Sequence, residues 1–210
     1  MLVPYSVLGT RLTTAKGVVD MASEPTGSVA FVDPAGLPYV QEFGPSQAGA
    51  ASGAIYSFLG IRQHAAFPPD VKAAVTATAL AKHHKYVRPT GEVAHCIHAV
   101  GPDFRMKPTL GPGEDPRAHA VALLARAYEN VLIEFDASGA DTLRLLPISS
   151  GVFAGPFRNE MPAITMEALG NACAALRPWV ERRIAGKRLE LCIFMESEWQ
   201  GFLDAGFRTG

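Results

Sequence analysis

The sequence predicts one α/β domain over residues 1–210, in which a sheet lies between layers of helices. Apolar strand-like runs alternate with stretches of helical periodicity, and this alternation is typical of an α/β sandwich. Several runs, such as 29–32 and 191–194, are apolar at every position, as in strands covered on both faces. With 210 residues, of which 48% are apolar, the chain is long enough to bury a substantial core.

The strand-like segments are short apolar runs that are separated by turns containing Gly and Pro. Their composition favours a largely parallel or mixed sheet, because such sheets have helices on both faces. The predicted strands are 3–8, 17–20, 28–32, 93–100, 142–147 and 189–194.

Helical periodicity occupies the segments between these strands. Asp115 followed by Pro116 predicts an N-cap and a first turn, and an apolar stripe continues from there to residue 135. A second stripe covers 164–180, with a kink expected at Pro178. The remaining helices are predicted at 53–59 and 69–79.

Composition and charge argue against several classes of protein. The formal net charge of -1 provides no general field that would attract polyanions, and the basic residues within 182–188 are interpreted as a solvated helix end. Three cysteines without paired spacing favour a reduced compartment. No apolar run approaches the roughly 20 residues of a membrane span, and residues 1–5 do not resemble a signal peptide. We therefore expect a cytoplasmic or nuclear protein.

Histidine and cysteine occur close together at positions 83, 84, 95, 96 and 98, which raises the question of a metal site. Their spacing fits no zinc finger, and in a strand over 93–100 His95 faces away from Cys96 and His98. His83 and His84 are interpreted as residues near a helix end. Neither G-x-G-x-x-G nor a P-loop is present. The sequence therefore predicts no metal and no cofactor.

Two loops after predicted strands are small enough to approach a phosphate group closely. The first reads DPAG at 33–36 and continues to a Gly-, Ala- and Ser-rich stretch at 48–55, which leads into a helix N-terminus. The second reads SSGVFAGP at 149–156, where consecutive N–H groups around a glycine can form an anion-binding nest. Because ligands of such folds bind outside the carboxyl ends of strands, both loops are candidates for anion binding.

In this order, the segments resemble the motifs of the macrodomain family. HCIHAVGP at 95–102 is similar to the family's central strand, IHAVGP, and 149–156 resembles its second phosphate loop, STGIYGYP or SAGIFG. Residues 48–55 resemble GGGVAGAI. The resemblance covers about residues 18–203, and it implies a three-layer α/β/α sandwich with a mixed, about six-stranded sheet. It also implies a cleft for ADP-ribose or a related adenine nucleotide.

The resemblance further implies which residues contact the adenine. Asp20 and Met21 stand where the family has GDI, whose acidic residue accepts a hydrogen bond from the adenine amino group. Phe194 resembles the aromatic residue that some members place against adenine. By residue type alone, Asp20 also fits an ordinary turn and Phe194 a core phenylalanine.

For the diphosphate, the resemblance implies backbone N–H donors from both loops, with no requirement for Lys or Arg. Phe153 resembles the aromatic residue that packs on the distal ribose. The ligand-binding residues expected in the loops are Asp33, Gly36, Ala48, Gly49, Ala50, Ala51, Ser52, Ile55, Ser149, Ser150, Gly151, Val152 and Phe153.

One motif departs from the family pattern. The catalytic NAAN is DPAG here, so Gly36 replaces the second asparagine, which binds the distal ribose and helps to position water. The following loop, 37–47, is also longer than usual. Asp33 and Glu42 are the candidates for a general base in a divergent hydrolase. A carboxylate that faced a diphosphate would, however, be repelled by it.

We therefore predict a reader of ADP-ribosylation, whose partner is ADP-ribose or an ADP-ribosylated protein. One alternative is a divergent ADP-ribosyl hydrolase. Another is an RNA- or poly(A)-binding or protein-interaction module, for which the basic residues within 182–188 are the favourable feature. No membrane partner is expected.

Overall fold

A computed structural model of the chain describes residues 1–13, 18–21, 23–107 and 110–209, with side chains within 11–22 excluded. It contains a six-stranded sheet and a separate two-stranded hairpin. The order across the sheet is β1-β8-β7-β4-β6-β5, and every neighbouring pair is parallel except β5 with β6. The strands are β1 Leu2–Val3, β2 Thr10–Thr13, β3 Val18–Met21, β4 Val29–Ala35, β5 Ala81–Val87, β6 Val93–Val100, β7 Thr142–Leu145 and β8 Arg188–Cys192.

Helices cover both faces of the sheet, so the predicted three-layer α/β/α sandwich with a mixed sheet is confirmed. One core cluster joins the sheet to α3–α6, and the other joins it to α1, α2 and the segment after β4. The helices are α1 Ala50–Leu59, α2 Pro69–Ala74, α3 Pro116–Ser138, α4 Met161–Ala175, α5 Pro178–Ile184 and α6 Glu196–Asp204. Among the described residues, none of these helices is long and apolar enough to cross a membrane.

The predicted start of α3 is confirmed by its hydrogen bonds. The Asp115 side chain accepts from the backbone N–H groups of Arg117 and Ala118, and Pro116 occupies the first turn. Helix α3 ends at Gly139, which adopts a left-handed conformation (φ 74°) that costs glycine little. The predicted kink at Pro178 is instead a break between α4 and α5, because Arg177 before the proline is extended.

The sixth strand of the sheet differs from the prediction. Residues 18–21 form β3, which pairs with β2 in the separate hairpin and not with the sheet. The edge position of the sheet is occupied by β5, where a helix end was expected for His83 and His84. The sequence of β5 lacks the apolar pattern of a strand, because β5 lies at the sheet edge, where polar side chains are tolerated. The helix predicted at 69–79 ends at Ala74, and the strand predicted at 189–194 ends at Cys192.

Candidate functional site

A cleft of about 680 Å³ lies at the carboxyl ends of the adjacent parallel strands β4, β6 and β7. This edge of a parallel sheet is where the backbone of the connecting loops can surround a ligand. The loop before α1 forms one wall, and the loop after β7 forms the other. The lining residues are 34–39, 48–52, Tyr56, Thr78, Val100, Gly101, Asp103, Arg105 and 146–153.

The first wall ends in the N-terminus of α1. Helix α1 begins at Ala50 after an extended Gly49, and no side chain caps it. The N–H groups of its first turn therefore lack intrahelical partners and carry the positive end of the helix dipole. Ala50 has a positive φ of 47°, an uncommon conformation for a residue with a Cβ. Such strained backbone is often found at ligand sites.

The second wall is held by two hydrogen bonds and by close packing against Gly101. Ser149, with a φ of 64°, donates from its hydroxyl to the Pro102 carbonyl at 2.7 Å. The Ile148 N–H donates to the Tyr128 hydroxyl at 2.9 Å. A Cβ at Gly101 would collide with the side chains of Ile148 and Ser149, so glycine at the end of β6 permits this close approach. The turn that follows, 152–157, begins at Gly151 and again leaves its first N–H groups without intrahelical partners.

An aromatic residue and an ion pair close one end of the second wall. Phe153 is 38% exposed, and the Arg105 guanidinium carbon lies 4.7 Å from the centre of its ring. Arg105 also donates to both carboxylate oxygens of Asp103, at 2.9 and 2.6 Å. This contact lowers the pKa of the Asp103 carboxyl. Of the described residues that line the cleft, only this pair is charged, so the cleft has no net charge.

Beneath the first wall lies a buried polar network centred on Asp33. This carboxylate is fully buried and contacts the Ser52 hydroxyl at Oδ1 and the Tyr56 hydroxyl at Oδ2, both at 2.7 Å. His98 Nδ1 lies 2.7 Å from Asp33 Oδ2, and His98 Nε2 lies 2.8 Å from the Tyr86 hydroxyl. These contacts fit an ionised Asp33 and a neutral His98 that donates from Nδ1 and accepts from Tyr86.

Burial shapes the protonation of this network. It raises the pKa of the Tyr56 hydroxyl far above its usual range, and the nearby negative charge of Asp33 raises it further. Burial is also the main cause of the raised pKa of Tyr86 and of the Cys96 thiol. Both tyrosines therefore remain hydrogen-bond donors at neutral pH. Cys96 remains a protonated thiol, which argues against a nucleophilic role.

The position of the family's second asparagine has no side chain and no space for one. A Cβ built on Gly36 would lie 2.8 Å from the Tyr39 ring, so an asparagine could not be restored without moving Tyr39. Tyr39 lies in a short π-helical turn, Tyr39–Phe43, of the long loop, and it lines the cleft. Its ring packs edge-on against Phe43, which is 48% exposed. An aromatic wall thus occupies the place expected for a polar side chain.

Most of the predicted loop residues line the cleft. They are Gly36, Ala48, Gly49, Ala50, Ala51, Ser52, Ser149, Ser150, Gly151, Val152 and Phe153.

The other predicted site residues lie elsewhere. Asp33 and Ile55 are buried, beneath the cleft and in the core respectively, while Glu42 is exposed outside it. Phe194 follows β8 and is 40% exposed, apart from the lining residues. Asp20 and Met21 belong to β3, and their side chains lie outside the described residues.

Sequence reasoning missed several residues of the site. Asp103 and Arg105 follow β6, whose carboxyl end lies beside β4, so the motif GP at 101–102 was a usable signal for a third loop. Tyr56, Tyr86 and His98 could not be found in this way. They join Asp33 only through the packing of α1, β5 and β6.

A second cavity, of about 450 Å³, lies between the segment after α1 and the edge strand β5. Two of its basic residues are engaged in ion pairs: Arg88 binds Glu24 and Glu92 at 2.9 and 2.8 Å, and His84 lies 2.9 Å from an Asp70 oxygen. Over the described part of the chain, no group of three or more His, Cys, Asp or Glu residues could hold a metal ion. The larger cleft is therefore the better candidate for a ligand site.

Comparison with solved structures finds macrodomains. The chain is similar to an Oceanobacillus iheyensis macrodomain with ADP, with a TM-score of 0.53 and 15% identity over 86% of this chain and 84% of that one. A mutant of that macrodomain with ADPR gives a TM-score of 0.54 and 16% identity over 84% and 83%.

A Trypanosoma brucei macrodomain in complex with ADP-ribose gives a TM-score of 0.51 and 20% identity, covering 83% of this chain and 62% of that one. No protein-family model matches the sequence, and no curated protein does. The chain therefore has the macrodomain fold, at 15–20% sequence identity to these structures.

Proposed function

We propose that the cleft binds ADP-ribose or a closely related adenine nucleotide, with the diphosphate between its two loops. The observation that carries this proposal is the pairing of two backbone-rich walls around one cleft at the carboxyl ends of β4 and β7. One wall supplies the N-terminus of α1, and the other supplies the first N–H groups of the 152–157 turn. Both are favourable environments for an anion.

Backbone donors are sufficient to hold a diphosphate in this cleft. In the first wall, the N–H groups of Ala50 and Ala51 are the free donors of a helix terminus. In the second wall, the Ser150 N–H is used within the loop, where it donates to Pro147 O at 3.3 Å. Gly151, Val152 and Phe153 then provide the donors of that side. Because Arg105 is paired with Asp103, binding should depend little on cationic side chains.

The two ends of the ligand follow from this placement. Phe153 and Tyr39 lie in the walls, so the sugar beyond the diphosphate would pack between aromatic rings. Because residues 19–21 resemble GDI, we propose that Asp20 accepts a hydrogen bond from the exocyclic amine of the adenine and that Phe194 lies against the ring. The similarity to macrodomains with ADP and with ADP-ribose supports a ligand of this class.

Binding is favoured over hydrolysis by the residues that face the cleft. Gly36 has no side chain, Asp33 is buried beneath the wall, and Glu42 lies outside it. The remaining carboxylate of the lining residues described, Asp103, is engaged with Arg105. We therefore propose a reader of ADP-ribose, free or linked to a protein.

Calorimetric titration of the purified protein with ADP-ribose, ADP, AMP and NAD tests this proposal. We expect saturable binding of ADP-ribose with a dissociation constant of about 1–100 μM, a free energy of roughly -8 to -5.5 kcal/mol. AMP, which lacks the diphosphate, should bind more weakly. Absence of binding by every nucleotide would contradict the proposal and would mean that the changes at 33–36 have removed the original use of the cleft.

A further inference from the structure

Ser52 is the hydroxyl in the first turn of α1, and it lines the cleft beside the expected diphosphate. Its Oγ donates to Asp33 Oδ1 at 2.7 Å, with the Pro34 carbonyl as a longer contact at 3.4 Å. A serine hydroxyl has one proton and two lone pairs. The Ser52 proton is directed to the buried carboxylate. On the side of the cleft, the Ser52 oxygen can therefore only accept a hydrogen bond.

The surroundings of Asp33 fix this polarity. Tyr56 donates to Oδ2, and the His98 Nδ1 contact reaches the same oxygen, so Oδ2 is occupied by groups other than Ser52. Oδ1 is left for the Ser52 proton. An ionised carboxylate that is fully buried depends on such donors, because a lost donor would leave the charge unsolvated. Turning the Ser52 proton into the cleft would therefore be costly.

We propose that Ser52 determines specificity by accepting a hydrogen bond from a sugar hydroxyl that lies beyond the diphosphate. This inference rests on the proposed function. A hydroxyl donates to the Ser52 oxygen, whereas a terminal phosphate brings further lone pairs and a negative charge toward Ser52 and Asp33. The cleft should therefore prefer a nucleotide whose diphosphate carries a second sugar, such as ADP-ribose, over ADP.

The substitution Asp33→Asn reverses the polarity of Ser52 without emptying the network. The amide oxygen can take the place of Oδ2 and accept from Tyr56 and His98. The amide nitrogen then takes the place of Oδ1 and donates to Ser52 Oγ. The Ser52 proton is thereby released from residue 33 and can point to the Pro34 carbonyl, 3.4 Å away, or into the cleft. Ser52 is then no longer restricted to accepting on the cleft side, so the preference for a hydroxyl should fall and ADP should bind relatively better.

The experiment measures the ratio of the dissociation constants of ADP and ADP-ribose by calorimetry. The proteins are the wild type, Ser52→Ala, Ser52→Thr, Asp33→Asn and the control Ser57→Ala. Ser57 lies on the same helix, is exposed, and donates to the Gly53 carbonyl at 3.0 Å. Melting temperatures, measured alongside, identify any variant that is not folded.

We expect the wild type to favour ADP-ribose, and Ser52→Ala to reduce that preference by about 3–10-fold, as for one neutral hydrogen bond. Ser52→Thr, which keeps the hydroxyl, and Ser57→Ala should retain the wild-type ratio, while Asp33→Asn should lower it at least as far as Ser52→Ala. An unchanged ratio in folded Ser52→Ala and Asp33→Asn, with ADP-ribose still bound, would overturn this inference and leave the proposed function standing. If the wild type binds neither nucleotide, the proposed function fails and the inference fails with it.

Discussion

The ends of β4 and β7 lie side by side in the sheet, yet the loops that follow them use side chains in opposite ways. After β7, the backbone faces the cleft, and the Phe153 side chain stands in the wall. Near the end of β4, Asp33 is turned beneath the wall, and the loop that follows forms the cleft side with Gly36 under the Tyr39 ring. The carboxylate on this side thus lies in the protein interior and does not face the cleft.

The first loop therefore presents backbone to the cleft without a polar side chain at position 36. The N-terminus of α1 depends on backbone geometry and forms with glycine at that position. The Asp33 network then acts as a support, because it connects β4, α1 and β6 directly below that helix terminus. The predictions below test whether the first loop is supported in this way and whether both loops contact the ligand.

The largest expected effect is the loss of stability when the Asp33 network is removed. Asp33→Ala removes the acceptor for Ser52, Tyr56 and His98 at once and should lower the free energy of unfolding by about 3–5 kcal/mol. Asp103→Ala is the control, since the solvent-exposed pair with Arg105 should contribute little to stability. Urea denaturation measures both. Equal, small losses would mean that Asp33 does not support the first loop.

Charge placed in either loop should prevent binding. Gly151→Glu and Gly49→Glu each add a carboxylate where the diphosphate is expected, and a Cβ at either position would meet no atom within 4 Å. We expect affinity for ADP-ribose to fall by about 100-fold or more with the fold intact. Gly186→Glu, where a Cβ also has space, controls for net charge outside the cleft. Retained affinity in either loop variant would remove that loop from the site.

The adenine end should be less sensitive than the diphosphate end. Asp20→Ala should weaken the binding of ADP-ribose by about 1–3 kcal/mol, as for a lost hydrogen bond to a charged group. Calorimetry provides the measurement, with Glu24→Ala as a control on a carboxylate nearby in sequence. An unchanged dissociation constant would refute the role of Asp20 in binding adenine. It would not bear on the diphosphate site, which the loop variants test.

The smallest effect is a pH dependence that arises outside both loops. Burial, with the positive charge of His95, lowers the pKa of His83 to about 4. As pH falls, His83 therefore binds a proton near pH 6.5 in the unfolded chain but only near pH 4 in the folded chain. The free energy of unfolding thus decreases as pH falls through this window.

Replacing His83 tests this pH dependence. His83→Gln should reduce the stability lost between pH 7 and pH 5 by about 1 kcal/mol, allowing for solvent screening of a half-buried group. The exposed His64→Gln is the control. An identical pH dependence in both variants and the wild type would show that the acid response has another source.

Local patterns were sufficient for much of the fold. The N-cap at Asp115 and the strand 93–100 were predicted correctly, because capping and apolar runs are properties of neighbouring residues. The polar edge strand β5 could not be predicted in this way, because its stability comes from pairing with β6 and its side chains remain half-exposed. Residues that line the cleft from the two small-residue loops were likewise predictable from short motifs.

The Asp33 network was beyond sequence reasoning for a physical reason. Its members come from β4, α1, β5 and β6, and no spacing in the chain indicates that they meet. Asp33 was considered as a residue that faces the ligand, but the direction of its side chain is set by the donors available in the core. Burial of a carboxylate can be inferred only when those donors are known.

An amide NMR titration of the wild type with ADP-ribose tests most directly whether the diphosphate lies between the two loops. We expect the largest shifts at both walls of the cleft, at the amides of Ala50, Ala51, Gly151, Val152 and Phe153. Residues such as His64 and Lys85, in the second cavity, should change little. Shifts confined to that second cavity, or to one wall only, would contradict a diphosphate held between the two loops.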